Sequence, residues 1–212
     1  MGLAIEVGGL AGLAELDSEG AEYLRASFER VNTLLAKNGL PAHVEPEKLP
    51  NLDNRCSLDS YPYSFLHYLR RAFAHRVQNP LWIAAPLPEG GDPGDDPVVE
   101  QITSRQTSHL LCHSDAEGFY LPIDFAPILF DDANQIPGGM VGSSYRLRDE
   151  LVLVAPALGI QLAGNLLLNE EAEAINSDLD KGEGIWIERI VWLSLFEASW
   201  LSIEHNAAIE FT

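Results

Sequence analysis

Residues 108–125 read SHLLCHSDAEGFYLPIDF, and the fold class turns on them. Phe119, Leu121, Ile123 and Phe125 alternate with Tyr120, Pro122 and Asp124, the period of two that lays apolar side chains along one face of a half-buried strand. Ser108 to His113 is a second short run, and the polar Ser-Asp-Ala-Glu-Gly stretch between the two has turn composition. The segment therefore reads as a β-hairpin. Pro122 lacks an amide hydrogen for a further neighbour, which assigns its strand to a sheet edge.

Working outward, the period changes from two to that of a helix. Downstream, Gly142-Ser143-Ser144 precedes Leu147, Leu151, Val154 and Leu158, with Pro156 and Gly159 as the stop. An acidic helix is expected from about Asn169, and a long apolar one from Ile185 to about Glu204 that carries Trp186, Trp192 and Trp200. Ala207 to Thr212 reads as a closing strand. Upstream, Asp17 or Ser18 caps a helix whose stripe is Ala21, Leu24, Phe28, Val31 and Leu35, ended by Asn38-Gly39. A second helix is expected from near Ser60, with Phe65, Leu66, Leu69, Phe73 and Val77 on its apolar face. Ala4 to Leu16 reads as a strand or an irregular lead-in. Helices and hairpin strands mixed without β-α-β repeats give an α+β class, in which amphipathic helices pack on a small antiparallel sheet in a single domain spanning 1–212. Residues 86–97 contain too much Pro, Gly and Asp for a regular element and read as an acidic surface loop.

The charge is the strongest functional signal. The 212 residues hold 32 Asp and Glu against 13 Lys and Arg, a formal charge of −19. Such a surface repels phosphate backbones and anionic lipid headgroups, so neither nucleic acid nor a membrane is expected as a partner. One basic island interrupts the acidity: Arg55, Arg70, Arg71 and Arg76, with His67 and His75 between them. It reads as a solvated helix face that offsets self-repulsion, or alternatively as a contact site. Two cysteines, Cys56 and Cys112, are too few for a disulfide framework. No charged start and apolar run of a secretory signal opens the chain, and Leu151 to Leu168 is interrupted by Pro, Gly, Gln and Asn. A cytoplasmic protein is the resulting expectation.

Several clusters could carry chemistry. His109, Cys112, His113, Asp115 and Asp124 are metal-ligand types, but on a strand His109 and His113 share a face that Cys112 does not, so no metal site is assigned. Asn176, Asp178 and Asp180 alternate like the first ligands of a calcium loop spanning 176–188, yet Lys181 stands where the glycine is needed and Ile187 where the bidentate Glu is needed. Pro137 to Ser144 offers glycines and two hydroxyls at a helix start, without the lysine of a phosphate-binding loop. Glu197 shares a helix face with Trp186, Ile190, Leu193, Trp200, Leu201 and Glu204; if buried it needs a partner, for which Arg71, His75, Arg146 and Arg148 are the candidates.

Two functional readings follow. In the first, the chain is a non-enzymatic acidic binding protein, an inhibitor comparable in size and charge to immunity-type proteins, which neutralises a basic protein partner through Asp92, Asp95, Asp96 and Glu100. In the alternative it is a small-ligand-binding or metal-dependent hydrolytic enzyme with a pocket near the 108–125 hairpin, built from His109, His113, Asp124, Ser143 and Glu197. No cofactor is called for by either reading. The Trp-rich C-terminal helix is apolar around its circumference, which suits either the core or a homodimer interface.

Overall fold

The computed structural model describes residues 2–212. Strand β1 (Leu3–Val7) leads through Gly8, in the left-handed region at φ 73°, into helix α1 (Gly9–Leu16) and then α2 (Ser18–Lys37). A short β2 (Ser60–Tyr61) precedes α3 (Ser64–Gln78) and α4 (Pro97–Thr103). Next come the single helical turn α5 (His109–Cys112), β3 (Gly118–Leu121), β4 (Leu129–Phe130) and β5 (Met140–Ser143). Helix α6 (Ser144–Val154), the small hairpin β6 (Leu162–Ala163) and β7 (Leu166–Leu167), α7 (Asn169–Lys181), α8 (Trp186–His205) and β8 (Ile209–Phe211) complete the chain. The fold is α+β. Its main sheet has the order β2-β1-β8-β3-β5-β4, antiparallel throughout except for the parallel β3–β5 pair.

The helices form where caps and apolar spacing coincide. The Asp17 carboxylate accepts the Glu19 and Gly20 amides, both at 3.1 Å, and Ala21, Leu24, Phe28, Val31 and Leu35 bury one face of α2. That face packs with Phe119, Leu121 and Val141 on one side of the sheet. On the other side, Tyr120 and Phe211 join a larger core made with α3, α6, α7 and α8. Helix α8 is central to it. Ile190 to Ser199 are all buried, Trp192 stacks on Phe196 at 4.6 Å, and its indole nitrogen donates to the Leu151 carbonyl at 2.8 Å. Helices α3, α6 and α7 and strand β1 cover most of α8, which makes it core, while Trp200 and Glu204 near its end remain exposed.

The expected 108–125 hairpin does not form, and the reasons are local. The Ser108 hydroxyl accepts the Leu111 amide at 3.0 Å, while the Glu150 carboxylate accepts the amides of His109 (2.9 Å) and Leu110 (2.7 Å) and the Ser108 hydroxyl (3.1 Å). These acceptors satisfy the donors of a helical turn, as a cap does. Strand β3 lies between β8 and β5, buried on both faces, so its alternation separates two cores and not core from solvent. Pro122 follows the last paired residue, Leu121, which is why it does not force β3 to an edge. Gly142 sits opposite Tyr120, and a Cβ there would come within 2.4 Å of the ring, so this close pairing requires glycine.

The acidic 86–97 stretch contains more order than its composition suggests. Asp92 accepts the Gly94 amide at the start of a 3₁₀ turn over Pro93–Asp95, and Asp96 accepts the Val98 amide at the start of α4. Each is an Asp followed by Pro, a cap and first-position pair.

The β1–β8 pair contains a concentration of buried negative charge. Glu6 lies across from Glu210, and buried Glu45 accepts the Ala208 amide at 2.8 Å and pairs with His43 at 2.5 Å. Burial first, and then repulsion from Glu6 and Glu45, push Glu210 up to about 7. Because the folded value lies above the unfolded one, Glu210 favours the fold fully only below the ordinary glutamate range, and that contribution is lost as pH rises through about 7. Thermal unfolding followed by circular dichroism is expected to give a higher Tm at about pH 5.5 than at about pH 8, either side of the Glu210 titration, and Glu210→Gln is expected to raise Tm more at the higher pH, narrowing the difference.

Candidate functional site

Acids outnumber bases on the surface by a larger ratio than in the composition, because several of the arginines are paired internally, each with a carboxylate of the chain. The Arg55 guanidinium pairs with Glu197 through Nε to Oε2 (2.9 Å) and a terminal nitrogen to Oε1 (2.5 Å), and its other terminal nitrogen donates to the Leu167 carbonyl and Asn169 Oδ1. The Glu197 side chain is 4% exposed and that of Arg55 28%. Arg70, also buried, donates to the Leu110 and His113 carbonyls and pairs with Asp115. Arg71 and His75 converge on Asp96 at 2.9 and 2.8 Å. Arg189 bridges Glu171 and Asp178. The basic island of the sequence is thus largely neutralised from within: its Arg55, Arg70 and Arg71 are tied to acids of the same chain. Among the described residues only three carboxylate side chains, on Glu45, Glu188 and Glu197, belong to buried residues.

The hairpin-centred pocket is not assembled. His109 is buried, accepts the Ser143 amide on Nδ1 at 3.0 Å and donates from Nε2 to the Ala126 carbonyl at 3.0 Å, a neutral ring used as a bridge. Burial lowers its pKa. His113 is packed flat on Tyr120 at 4.2 Å and against Phe211, and burial, opposed only in part by its hydrogen bond to the Ser114 carbonyl, lowers it to about 3. Neither imidazole is positioned to exchange protons with a substrate. Ser143 caps α6 and donates to the Ile123 carbonyl, and exposed Asp124 pairs with Arg146. The structure brings His109 and Ser143 together but leaves Glu197 with Arg55, a partner absent from the four that the helix wheel suggested.

The remaining clusters are also structural. Asn176, Asp178 and Asp180 lie inside α7 and not in an interhelical loop; Asn176 holds Ser57 and the Arg55 carbonyl, and Asp178 pairs with Arg189 and Lys181. No group of three or more His, Cys, Asp or Glu able to hold a metal occurs among the described residues. The glycines of Pro137–Ser144 lead into β5, whose residues are all buried, and not into an open anion cradle. Of the four loop acids, Asp96 is occupied by Arg71 and His75, whereas Asp92, Asp95 and Glu100 are exposed.

The most developed acidic feature lies beside α7 and the end of α8. A cavity of about 480 Å³ is lined by Asp53, Leu166, Leu168, Trp200, Glu204 and the Arg55–Glu197 pair, among others. A second of about 280 Å³ shares Asp53, Arg55 and Asn169 and extends it to Glu173. Asp53, Glu170, Glu173 and Glu204 are exposed and make no ion pair among the described residues. Glu204 was legible on the α8 wheel beside Glu197. Asp53 was not, because only the folded 51–59 segment, tied to α7 by Asn176, brings it there.

A chain that presents ordered carboxylates on rigid helices while turning its guanidiniums inward has the general form of an acidic protein-binding protein. Residues 1–211 match the family described as "Putative DNA-mimic protein", and the chain belongs to that family. No curated protein and no solved structure matches it. Membership corrects two expectations. The acidity was read as an immunity-type device for a generic basic partner, or as incidental to a pocket enzyme; the family instead makes it an imitation of DNA. Nucleic acid was likewise excluded from the account of partners, whereas the family's description makes it the thing imitated. The physical inference that this surface repels DNA and the family's character share one cause, the sign of the charge. Among the described residues no helix is long and apolar enough to cross a membrane.

The Arg55–Glu197 pair is the anchor of this region, and its removal has a definite expected effect. Arg55→Met leaves a buried carboxylate without its cation and is expected to cost about 3 kcal/mol or more in urea unfolding, with Arg55→Met/Glu197→Leu recovering most of the loss.

Proposed function

We propose that the chain is a DNA mimic that occupies the DNA-contacting surface of a DNA-binding protein and so inhibits its binding to DNA. The observation that carries this reading, together with the family, is the separation of charge: Arg55, Arg70 and Arg71 of the former basic island are committed to carboxylates of the same chain, while the exposed acids are left in surplus. Duplex DNA carries one negative charge per about 1.7 Å of axis, and its partners meet it with Lys and Arg. On α7, exposed Glu170, Glu173 and Asp180 follow at three- and seven-residue spacing, so they stand about 4.5 and 10.5 Å apart along the axis. Exposed Glu19, Glu22 and Glu29 on α2 form a comparable row. Asp92, Asp95 and Glu100 are a third exposed group beside α4. Charges fixed on helices lose little freedom on docking, which favours a rigid charge array over a disordered acidic tail. A cytoplasmic location, where DNA-binding proteins are accessible, accompanies this reading.

The test is competition. Proteins retained by the immobilised chain from a lysate of its host are expected to be DNA-binding, and to be released by sheared duplex DNA at constant ionic strength. Once purified, such a partner is expected to lose its labelled DNA duplex to the added chain in an anisotropy titration. Simultaneous binding of chain and duplex to the partner contradicts the proposal.

A further inference from the structure

A protein that needed only charge would have little use for apolar side chains in its acidic surface. Yet Leu166 is 51% exposed, Leu168 53% and Trp200 37%, and all three line the cavity of about 480 Å³ whose rim carries Asp53 and Glu204. Exposed apolar area framed by polar groups marks a contact surface. The same region already holds two guanidiniums of the chain itself. Arg55 lies in the cavity wall with its donors on Glu197, the Leu167 carbonyl and Asn169, and Arg148 stands 5.7 Å over the Trp200 ring. Because Glu197 neutralises Arg55, the three carboxylates of Asp53, Glu173 and Glu204 outnumber the one remaining cation there, Arg148.

We propose that this groove seats an arginine side chain of the DNA-binding partner, in the manner of a narrow DNA minor groove. The inference rests on the mimic reading above and adds which part of the partner it engages. A narrow minor groove concentrates negative potential between two walls of phosphate and draws in arginine. Here Asp53 and Glu204 in the larger cavity and Glu173 in the one adjoining it supply the negative charge, and Leu166, Leu168 and Trp200 supply apolar lining along which an aliphatic stem lies. Guanidinium suits such a site better than ammonium, being planar, more weakly hydrated, able to stack on indole and to bridge two carboxylates. The occupant is accordingly an arginine-bearing arm or loop, and not a lysine-rich face that would respond to net charge alone.

The probes are a fluorescein-labelled Arg/Gly peptide and a Lys/Gly peptide of the same length and charge, titrated by anisotropy near physiological ionic strength. The Arg peptide is expected to bind about tenfold tighter than the Lys peptide, a difference large enough to exceed experimental scatter. Asp53→Asn/Glu204→Gln is expected to remove that preference, and Trp200→Leu to reduce it. Asp95→Asn/Glu100→Gln, which removes the same charge elsewhere, is expected to weaken both peptides alike and leave the preference intact. All these positions are at the surface, and circular dichroism melts of each variant confirm that the fold is kept. Equal affinity for the two peptides, or equal effects of the two double variants, would overturn the proposal. If duplex DNA still displaces the chain from its partner in that event, the mimic reading stands without this groove.

Discussion

Arg55, Arg70 and Arg71 turn their guanidiniums toward carboxylates of their own chain, and much of the surface chemistry depends on that choice. A sequence of charge −19 has too few cations to balance its acids in any arrangement. The fold spends several of its cations where they hold elements together. Arg55 ties the 51–59 segment and the β6–β7 hairpin to α8, Arg70 ties α3 to the turn before β3, and Arg71 ties α3 to the start of α4. Each pair removes a positive charge from the outside and an acid that was already partly inside. Acids predominate in the exposed remainder, although Arg25, Lys37, Lys48, Arg105 and Lys181 are exposed as well. That state is costly through self-repulsion, and the carboxyls gathered at the β1–β8 pair show the same pressure within the sheet.

Helical parts of the fold were legible because helix ends and faces are local. Asp17, Ser143 and Gly159 stand where caps and stops are expected, and the stripes of α2, α3, α6 and α8 follow from spacing alone. The C-terminal strand was legible as well. The sheet was not, since its central strand β3 is buried on both faces and its alternation between two cores imitates a strand half in water. The turn over His109–Cys112 depends on Glu150, some forty residues away, and no local rule identifies it. Asp92-Pro93 and Asp96-Pro97 were readable as caps, but the density of Pro, Gly and Asp around them concealed the signal.

For the site, the sequence conveyed the sign of the charge and the oddity of Glu197, and little else. What it could not convey was which acids remain available. Asp96 looks as free as Asp95 in the chain, yet Arg71 and His75 occupy it, whereas Asp53 and Glu173 look unremarkable and end up lining one cavity. His109 and His113 looked like chemistry because imidazoles in a cluster often are; burial holds both rings to structural roles. The reading of the charge as repelling DNA and attracting a basic partner had the right physics and the wrong class of partner, for the family's description ties the acidity to the imitation of DNA.

The most direct measurement of the central claim is an alanine scan of the phosphate-contacting Lys and Arg residues of the captured partner, with affinity measured separately for duplex DNA and for this chain. If the chain occupies the DNA-contacting surface, substitutions are expected to weaken both complexes in the same rank order, since both then present negative charge to one surface. Substitutions that abolish DNA binding while leaving the affinity for the chain unchanged would contradict that claim.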